Sequence, residues 1–476
     1  MTGGLMSLLA VGSQDVYISV EPQMSYFKQV YQRPTNFGMQ SMITAFNNAP
    51  VLAQGDAKFS CKLGRYGDLI KDIAFQLTLP AIYSDDNYRF RWIANMQNYL
   101  LVEYKVTVDN ADALDHRYGE WLDIWNELSL PQDKKTAFNN LVGNTQNYMN
   151  PTNLTPIVII KNNKIAFSYY PISTGPNNPS LPAKDIFIPL DFWFSKNPAL
   201  ALPLIALQYQ NVIVEITLRN VEQLYQVYDH KTGIYVSPTT YNALNGTSIN
   251  IGTFTNYGGG GLTTIQLNGY LDVNYIFLDT PERTFLAQTS TIQILVEQVI
   301  RNHVGGGIKS NFTTPAKTLS LKNPIKEMIW VLRRDDAQYY NDWANYTASQ
   351  PADLSQPILN QAKFIWNGLD RIEFKNNIYY NVLQPYTYHT GTPRQGIYAY
   401  TFSLYPEKIQ PSGSYNSSMV DSVQLQLTTN NYTPSTNTVI TNNAALKSNT
   451  YDLTVYAISY NVFKIVGGVG KMVFEK

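Results

Sequence analysis

The chain is short of cysteine, of charge and of long hydrophobic runs. Its 476 residues include a single cysteine, Cys61, so no intrachain disulfide can form, and folding in a reducing compartment is expected. Charged residues are 15% of the total, against about 25% in ordinary soluble proteins. So little charge on so large a surface implies that partners cover much of it. Thirty-five basic residues balance 35 acidic ones, which leaves no basic field for nucleic acid, and no direct nucleic-acid contact is expected. The apolar stretches at Gly3–Gly12 and Pro198–Leu207 are too short to span a bilayer, and no transmembrane segment or signal peptide is expected.

Catalytic patterns are also missing. There is no Gly-x-Ser-x-Gly elbow. Gly258–Gly261 and Gly305–Gly307 lack the Lys-Ser/Thr of a phosphate loop, and Gly467–Lys471 has Met472 where Ser or Thr is required, so it reads as a terminal turn. His116, His230, His303 and His389 are scattered. Asp112, Asp115 and His116 could offer metal ligands, but a surface helix start explains them better. Asp85-Asp86 has no identifiable second carboxylate for glycoside hydrolysis. Arg333-Arg334-Asp335-Asp336 cancels its own charge and reads as a solvated turn. No catalytic, cofactor-binding or metal site is expected, and the chain is not expected to be an enzyme.

The sequence is rich in aromatics, at 13% with 35 Tyr, which suits β structure with polar loops. One segment occurs twice: Ile70-Lys71-Asp72-Ile73-Ala74-Phe75-Gln76-Leu77 returns as Ile325-Lys326-Glu327-Met328-Ile329-Trp330-Val331-Leu332. Around each copy lie short segments of β character. In the first half these are Gly55–Leu63, with Phe59, Cys61 and Leu63 on one face, then Leu69–Leu79, Trp92–Val108, Ile157–Ile160, Ile186–Leu190, Leu204–Leu218 and Gly269–Leu278. In the second half they are Ile292–Ile300, Ile325–Leu332, Ile365–Phe374, Tyr398–Leu404, the alternating Val423, Leu425 and Leu427, and Leu453–Ile465.

One segment breaks the pattern. Tyr118, Trp121, Leu122, Trp125 and Leu128 recur three and four apart, which predicts a helix with Asp115 as N-cap and Pro131 past its end. The two tryptophans belong to its packing stripe. Residues 220–262 and 335–361 read as polar, aromatic excursions, the former exposed. Asp279-Thr280-Pro281-Glu282-Arg283 makes the best boundary, with a helical turn after it. The chain divides accordingly into an arm (1–26) and two β bodies (27–282 and 283–476). Eight strands apiece with long loops favour two tandem antiparallel jelly rolls, an all-β fold with a few short helices. Immunoglobulin-like sandwiches are the alternative.

Several segments carry a family resemblance: Gly3–Leu8, Gly12–Ile18, Tyr26–Phe37, Leu202–Tyr209, Tyr275–Arg283, Pro324–Leu332, Pro411–Asn416 and Val455–Asn461. In this order they resemble the major capsid proteins of nucleocytoplasmic large DNA viruses. The resemblance implies a double jelly roll and a structural role in the outer shell of a large icosahedral double-stranded DNA virus. It implies a homotrimer of pseudo-hexagonal outline, because three chains of two rolls give six similar bodies. Neighbouring capsomers, minor capsid proteins and penton proteins would be its partners. The arm would lie under the shell, near minor proteins or an inner membrane, and the two excursions would supply the outer turret and trimer contacts. The protein would reside in the virion capsid after synthesis in the host cytoplasm. Loop glycans are conceivable at Asn153, Asn245, Asn311, Asn345, Asn416 and Asn431. A carbohydrate-binding jelly-roll protein is the competing reading.

Overall fold

The computed structural model describes residues 3–29, 31–109, 113–161, 164–350, 352–431 and 450–474. Met1–Phe37 forms one unit and Gly38–Lys476 another. In the first unit, helices span Gly3–Leu9 and Val16–Ser19, and Leu5, Met6, Leu8, Leu9 and Val11 are exposed.

Sixteen of the 26 strands among the described residues organise the larger unit. Eight precede residue 280: β1 (Phe37–Ala45), β2 (Ala57–Lys62), β3 (Leu69–Leu79), β4 (Leu101–Val108), β5 (Asp115–Tyr118), β6 (Lys184–Pro189), β7 (Val212–Leu218) and β8 (Gly269–Leu278). Eight follow: β9 (Thr291–Lys309), β10 (Lys317–Thr318), β11 (Pro324–Arg334), β12 (Leu359–Trp366), β13 (Leu369–Asn376), β14 (Ile397–Thr401), β15 (Val423–Thr429) and β16 (Thr450–Val466). The first set makes two sheets in the order β1-β8-β3-β6 and β2-β7-β4-β5. The second set makes β9-β16-β11-β14 and β10-β15-β12-β13. Adding eight to each strand number of the first pair yields the second pair. Both pairs are antiparallel jelly rolls of identical connectivity.

The duplicated segment is the third strand of each roll, and its spacing has a structural cause. In β3, Ile70 pairs with Tyr275 and Asp72 with Asn274, so Lys71 is an extra residue bulged out of the ladder. In β11, Ile325 pairs with Ser459 and Glu327 with Ile458, which leaves Lys326 in the same position. A bulge inserts one residue and shifts the two-residue alternation by one place. The core-facing residues are therefore Ile70, Ile73, Phe75 and Leu77 in one roll and Ile325, Met328, Trp330 and Leu332 in the other, all buried. The three-residue step from Ile to the next apolar residue is the bulge written in sequence.

Each roll has an apolar interior, and that of the first extends to Val296, Phe463 and Ile465 of the second. Phe59, Cys61, Phe75, Tyr104, Val214, Ile216 and Val273 meet inside the first. Met328, Trp330, Phe364, Leu425, Leu453 and Val455 meet inside the second. Burial pushes the Cys61 thiol up to about 11, so it behaves as a small apolar group.

Several local expectations are corrected. Asp115 does not cap a helix: Asp115–Tyr118 pairs with β4, and the helix α1 (Gly119–Ser129) begins after it. Gly119 is required there, because a Cβ would stand 2.0 Å from the carbonyl oxygens of Asn98 and Leu101. Trp92–Val108 is interrupted by a helical turn at Met96–Leu100. Strand structure in Leu204–Leu218 begins only at Val212.

Ile365–Phe374 is not one strand but the hairpin of β12 and β13, turned by Asn367 and Gly368 at φ of 48° and 81°. That is the backbone an Asn-Gly turn favours. The boundary segment forms a longer helix than expected, Thr280–Gln288, with the Asp279 side chain accepting from Thr280 N and Pro281 in the first turn.

Segment 220–262 is folded in rather than exposed. Its strand Tyr225–Asp229 pairs with Phe90–Trp92 and Ile234–Val236, and Val221, Leu224, Tyr225, Val227, Ile251 and Phe254 are buried. Its apolar residues are spread among Asn, Thr and Gly, which hid them from any simple periodicity. Its glycine-rich tip is open, where Tyr257 and Leu262 flank three glycines of positive φ.

Candidate functional site: the seam between the two rolls

Among the described residues, the densest cluster of ion pairs and aromatic contacts lies where the rolls meet. Helix α1 leaves the first roll directly after β5 and lies on the outer face of the second roll's β9-β16-β11-β14 sheet. Trp121, Ile124, Trp125 and Leu128, spaced three and four apart, pack against Val299, Ile329, Val331, Ile397, Ala399, Tyr456 and Ile458. Trp121 and Trp125 stack at 5.4 Å, and Trp121 also meets Tyr456 at 5.4 Å. The amide of Gly391 donates to Leu128 O at 2.7 Å. A Cβ on Gly391 would lie 2.5 Å from Glu127 O, so only glycine allows this approach.

The polar side of the same helix is tied to the second roll by ions. Glu120 is paired with Arg333, accepts from Tyr456 Oη at 2.7 Å and from Tyr346 Oη at 3.2 Å. Burial alone would raise the Glu120 carboxyl, but Arg333 and the Tyr456 hydroxyl outweigh it and hold it below the usual range. Asp123 is paired with Arg394 and accepts from Tyr99 Oη at 3.1 Å. Arg394 also reaches Glu127 at 3.3 Å.

Further pairs line the seam below the helix. Glu297 on β9 holds Lys326, the bulged lysine of β11, and Lys196 of the first roll at 3.1 Å. Arg117 donates to Glu297 O at 3.0 Å, and Gln298 Nε2 donates to Leu114 O at 2.9 Å. His389 is buried between Glu327 at 2.5 Å and Glu407 at 3.3 Å. Burial opposes its charge, but the two carboxylates prevail and hold the imidazolium up to about 9.

At another part of the seam the two excursions meet. Asn341 Nδ2 donates to Tyr225 O at 2.8 Å, and Trp343 Nε1 donates to Gln223 O at 2.9 Å. Segments 220–262 and 335–361 thus bind each other within one chain.

These partners explain residues that the sequence left without a role. Arg333-Arg334-Asp335-Asp336 is not a solvated turn: Arg334 and Asp336 are 4% and 1% exposed and paired, and Arg333 serves Glu120. Of the possible metal ligands, Asp112 lies outside the described residues. Asp115 instead binds Arg117 at 2.9 Å and accepts from Trp193 N at 2.9 Å, while His116 faces Glu103 at 3.0 Å. Asp86 pairs with Arg89, and Asp85 accepts from the amides of Asn87 and Tyr88 in a turn. His230 and His303 sit apart, on Asp86 O and Thr454. Two sequon asparagines are structural: Asn245 Nδ2 donates to Asp229 at 3.0 Å, and the buried Asn345 donates to Asp342, Ser349 and Gln350, each at 3.0 Å. Gly467 and Gly468 do form a turn, between β16 and Val469–Met472.

Comparison with known proteins places the chain in a family. Residues 25–279 match the model described as major capsid protein N-terminus, and residues 282–471 match that of the large eukaryotic DNA virus major capsid protein. The major capsid protein of Phaeocystis pouchetii virus is 29% identical, with all of both chains covered. That of Paramecium bursaria Chlorella virus 1 is 28% identical, again over all of both chains. Among solved structures, the quasi-atomic model of the PBCV-1 virus capsid superposes with a TM-score of 0.67 at 25% identity, covering 95% of this chain and all of the other. The Faustovirus major capsid protein superposes with a TM-score of 0.62 at 14% identity, covering 96% of each. The chain belongs to the large eukaryotic DNA virus major capsid proteins, a structural family and not an enzyme family.

Proposed function

We propose that this capsid protein works as a homotrimer in which three chains present six near-equivalent rolls, giving a pseudo-hexagonal tile of the icosahedral outer shell. The observation behind the reading is the repeat itself: two rolls of one strand order, carrying the same bulge, held by a seam inside the chain. Six similar bodies around a threefold axis fill a sixfold position, and a closed ring leaves no open-ended contact. A permanent interface of this kind typically buries about 2,000 Å2 or more. The functional division falls at residues 282–283, between the rolls.

The arm, residues 1–26, faces inward in this proposal, towards minor capsid proteins or an inner membrane. Its exposed Leu5, Met6, Leu8, Leu9 and Val11 support that role. No helix among the described residues is long and apolar enough to cross a membrane, so the arm would act at a surface. Penton proteins and neighbouring tiles complete the contacts, and synthesis takes place in the host cytoplasm. Glycans, where present, would occupy sequons other than Asn245 and Asn345.

The test is sedimentation velocity on the purified chain at micromolar concentration, paired with negative-stain imaging. Three-chain particles of hexagonal outline are expected. A monomer, or a ring of another order, would overturn the proposal.

A further inference from the structure

Both rolls open the connection between their fifth and sixth strands with a helix. In the first roll this is α1, directly after β5. In the second it follows directly after β13, π-helical over Tyr379–Leu383 and α-helical over Gln384–Tyr388. Ile124, Trp125 and Leu128 stand sixth, seventh and tenth after Tyr118, the last residue of β5. Val382, Leu383 and Tyr386 stand sixth, seventh and tenth after Asn376, the last residue of β13. The first three are buried in the seam. The second three are 51%, 49% and 84% exposed, and Ile378 beside them is 60% exposed. Together with Asn376 and Tyr379, these four line an open apolar depression of about 340 Å3.

The sheet face under α1 has a duplicate as well. It is the outer face of β1-β8-β3-β6, where Met39 and Ile43 are 62% and 66% exposed and Phe187 and Tyr270 are half-buried. Three polar pairs on that face already satisfy one another: Ser41 with Asp272, Asn274 with Asp72, and Thr78 Oγ1 with Asp185 at 2.6 Å. Those six side chains can be covered without stranding a donor or acceptor.

We infer that the helix of residues 377–388 in one copy docks on the outer face of β1-β8-β3-β6 of a neighbouring copy. The contact repeats between chains what α1 does within the chain. This rests on the threefold reading above and deepens it by giving the residues on both sides. A ring of six similar rolls needs one kind of contact six times, three of them inside chains and three between chains. The seam supplies the inside contact, and the exposed helix and the open sheet face are its two unmated halves. The interface is head-to-tail, so each copy contributes both halves and the ring closes.

The experiment compares the full chain with Val382→Asp and with Ile43→Asp by sedimentation velocity, using circular dichroism to check the fold. Both side chains are exposed in the single chain, so each variant should fold. Each should weaken the trimer by about 100-fold, as expected for a charge placed in an apolar interface centre. A trimer as tight as wild type in either variant would overturn the inference, assign that surface to some other partner, and leave the trimer reading standing. A monomeric wild type would overturn the trimer reading itself, and this inference with it.

Discussion

The two copies of the duplicated strand make a controlled comparison inside one molecule. Their inward residues are interchangeable in kind, and both are buried. Their outward residues differ position by position: Asp72, Ala74, Gln76 and Thr78 on β3 against Glu327, Ile329, Val331 and Arg333 on β11. On β3 the outward residues are all partly exposed. On β11, Ile329 and Val331 are at most 1% exposed beneath α1, and Glu327 is fully buried against His389. The inward face is set by the fold and the outward face by what covers it. A cover supplied by the same chain forms as that chain folds, so the surface can be fully apolar and ionic. A cover supplied by another chain must be tolerated as open surface first, which keeps Gln76, Thr78 and the paired aspartates in place.

The largest difference between the two strands is expected at the last outward position. Arg333→Met would leave Glu120 buried without its ion-pair partner, and should cost about 3–5 kcal/mol in chemical denaturation. Thr78→Met, its counterpart, should stay within about 0.5 kcal/mol. Equal losses at both would show that the two outer faces are not used differently.

A smaller effect is expected one pair inward. Val331→Gln puts an amide against Trp121 and Trp125 and should cost about 2–3 kcal/mol, whereas Gln76→Val should leave the unassembled chain within about 0.5 kcal/mol of wild type. Matching thermal shifts would erase the distinction.

The acids of the motif have different partners, and one of those partners titrates. Glu327 faces His389, while Asp72 faces Asn274. The folded imidazole titrates near 9, above its ordinary 6.5, so its stabilisation is complete below about 6.5 and is lost as pH rises through 9. Wild type should lose on the order of 2 kcal/mol across that window. His389→Gln should lose stability at pH 6 and show a flatter profile. An unchanged profile in the variant would remove His389 from the account.

Much of the fold was legible in sequence. The repeated Ile-Lys-acid segment located the third strand of each roll, and alternation found β2, β7 and β15 because their faces differ in polarity. The Trp121–Leu128 spacing gave α1 and its apolar stripe. What was not legible depended on tertiary partners. Nothing local tells that Arg333 and Arg334 are paired in the interior, since runs of charge are ordinarily solvated and their acids lie far off or across a turn. Asp115 suited a helix cap by type, but Arg117 two residues on and Trp193 claimed its carboxylate. The Asn367-Gly368 turn is a local signal, and it splits Ile365–Phe374 into two strands. The seam could have been suspected from Gly391 and Gly119 only with knowledge of the helix each one lets approach.

The most direct test of the account is hydroxyl-radical footprinting of the assembled protein and of the separated chain. Met39 lies on the open outer face of the first roll, and Met328 lies inside the second. The account predicts that Met39 is protected on assembly and reactive when the chains are apart, with Met328 protected in both. Equal oxidation of Met39 in the two states would contradict it.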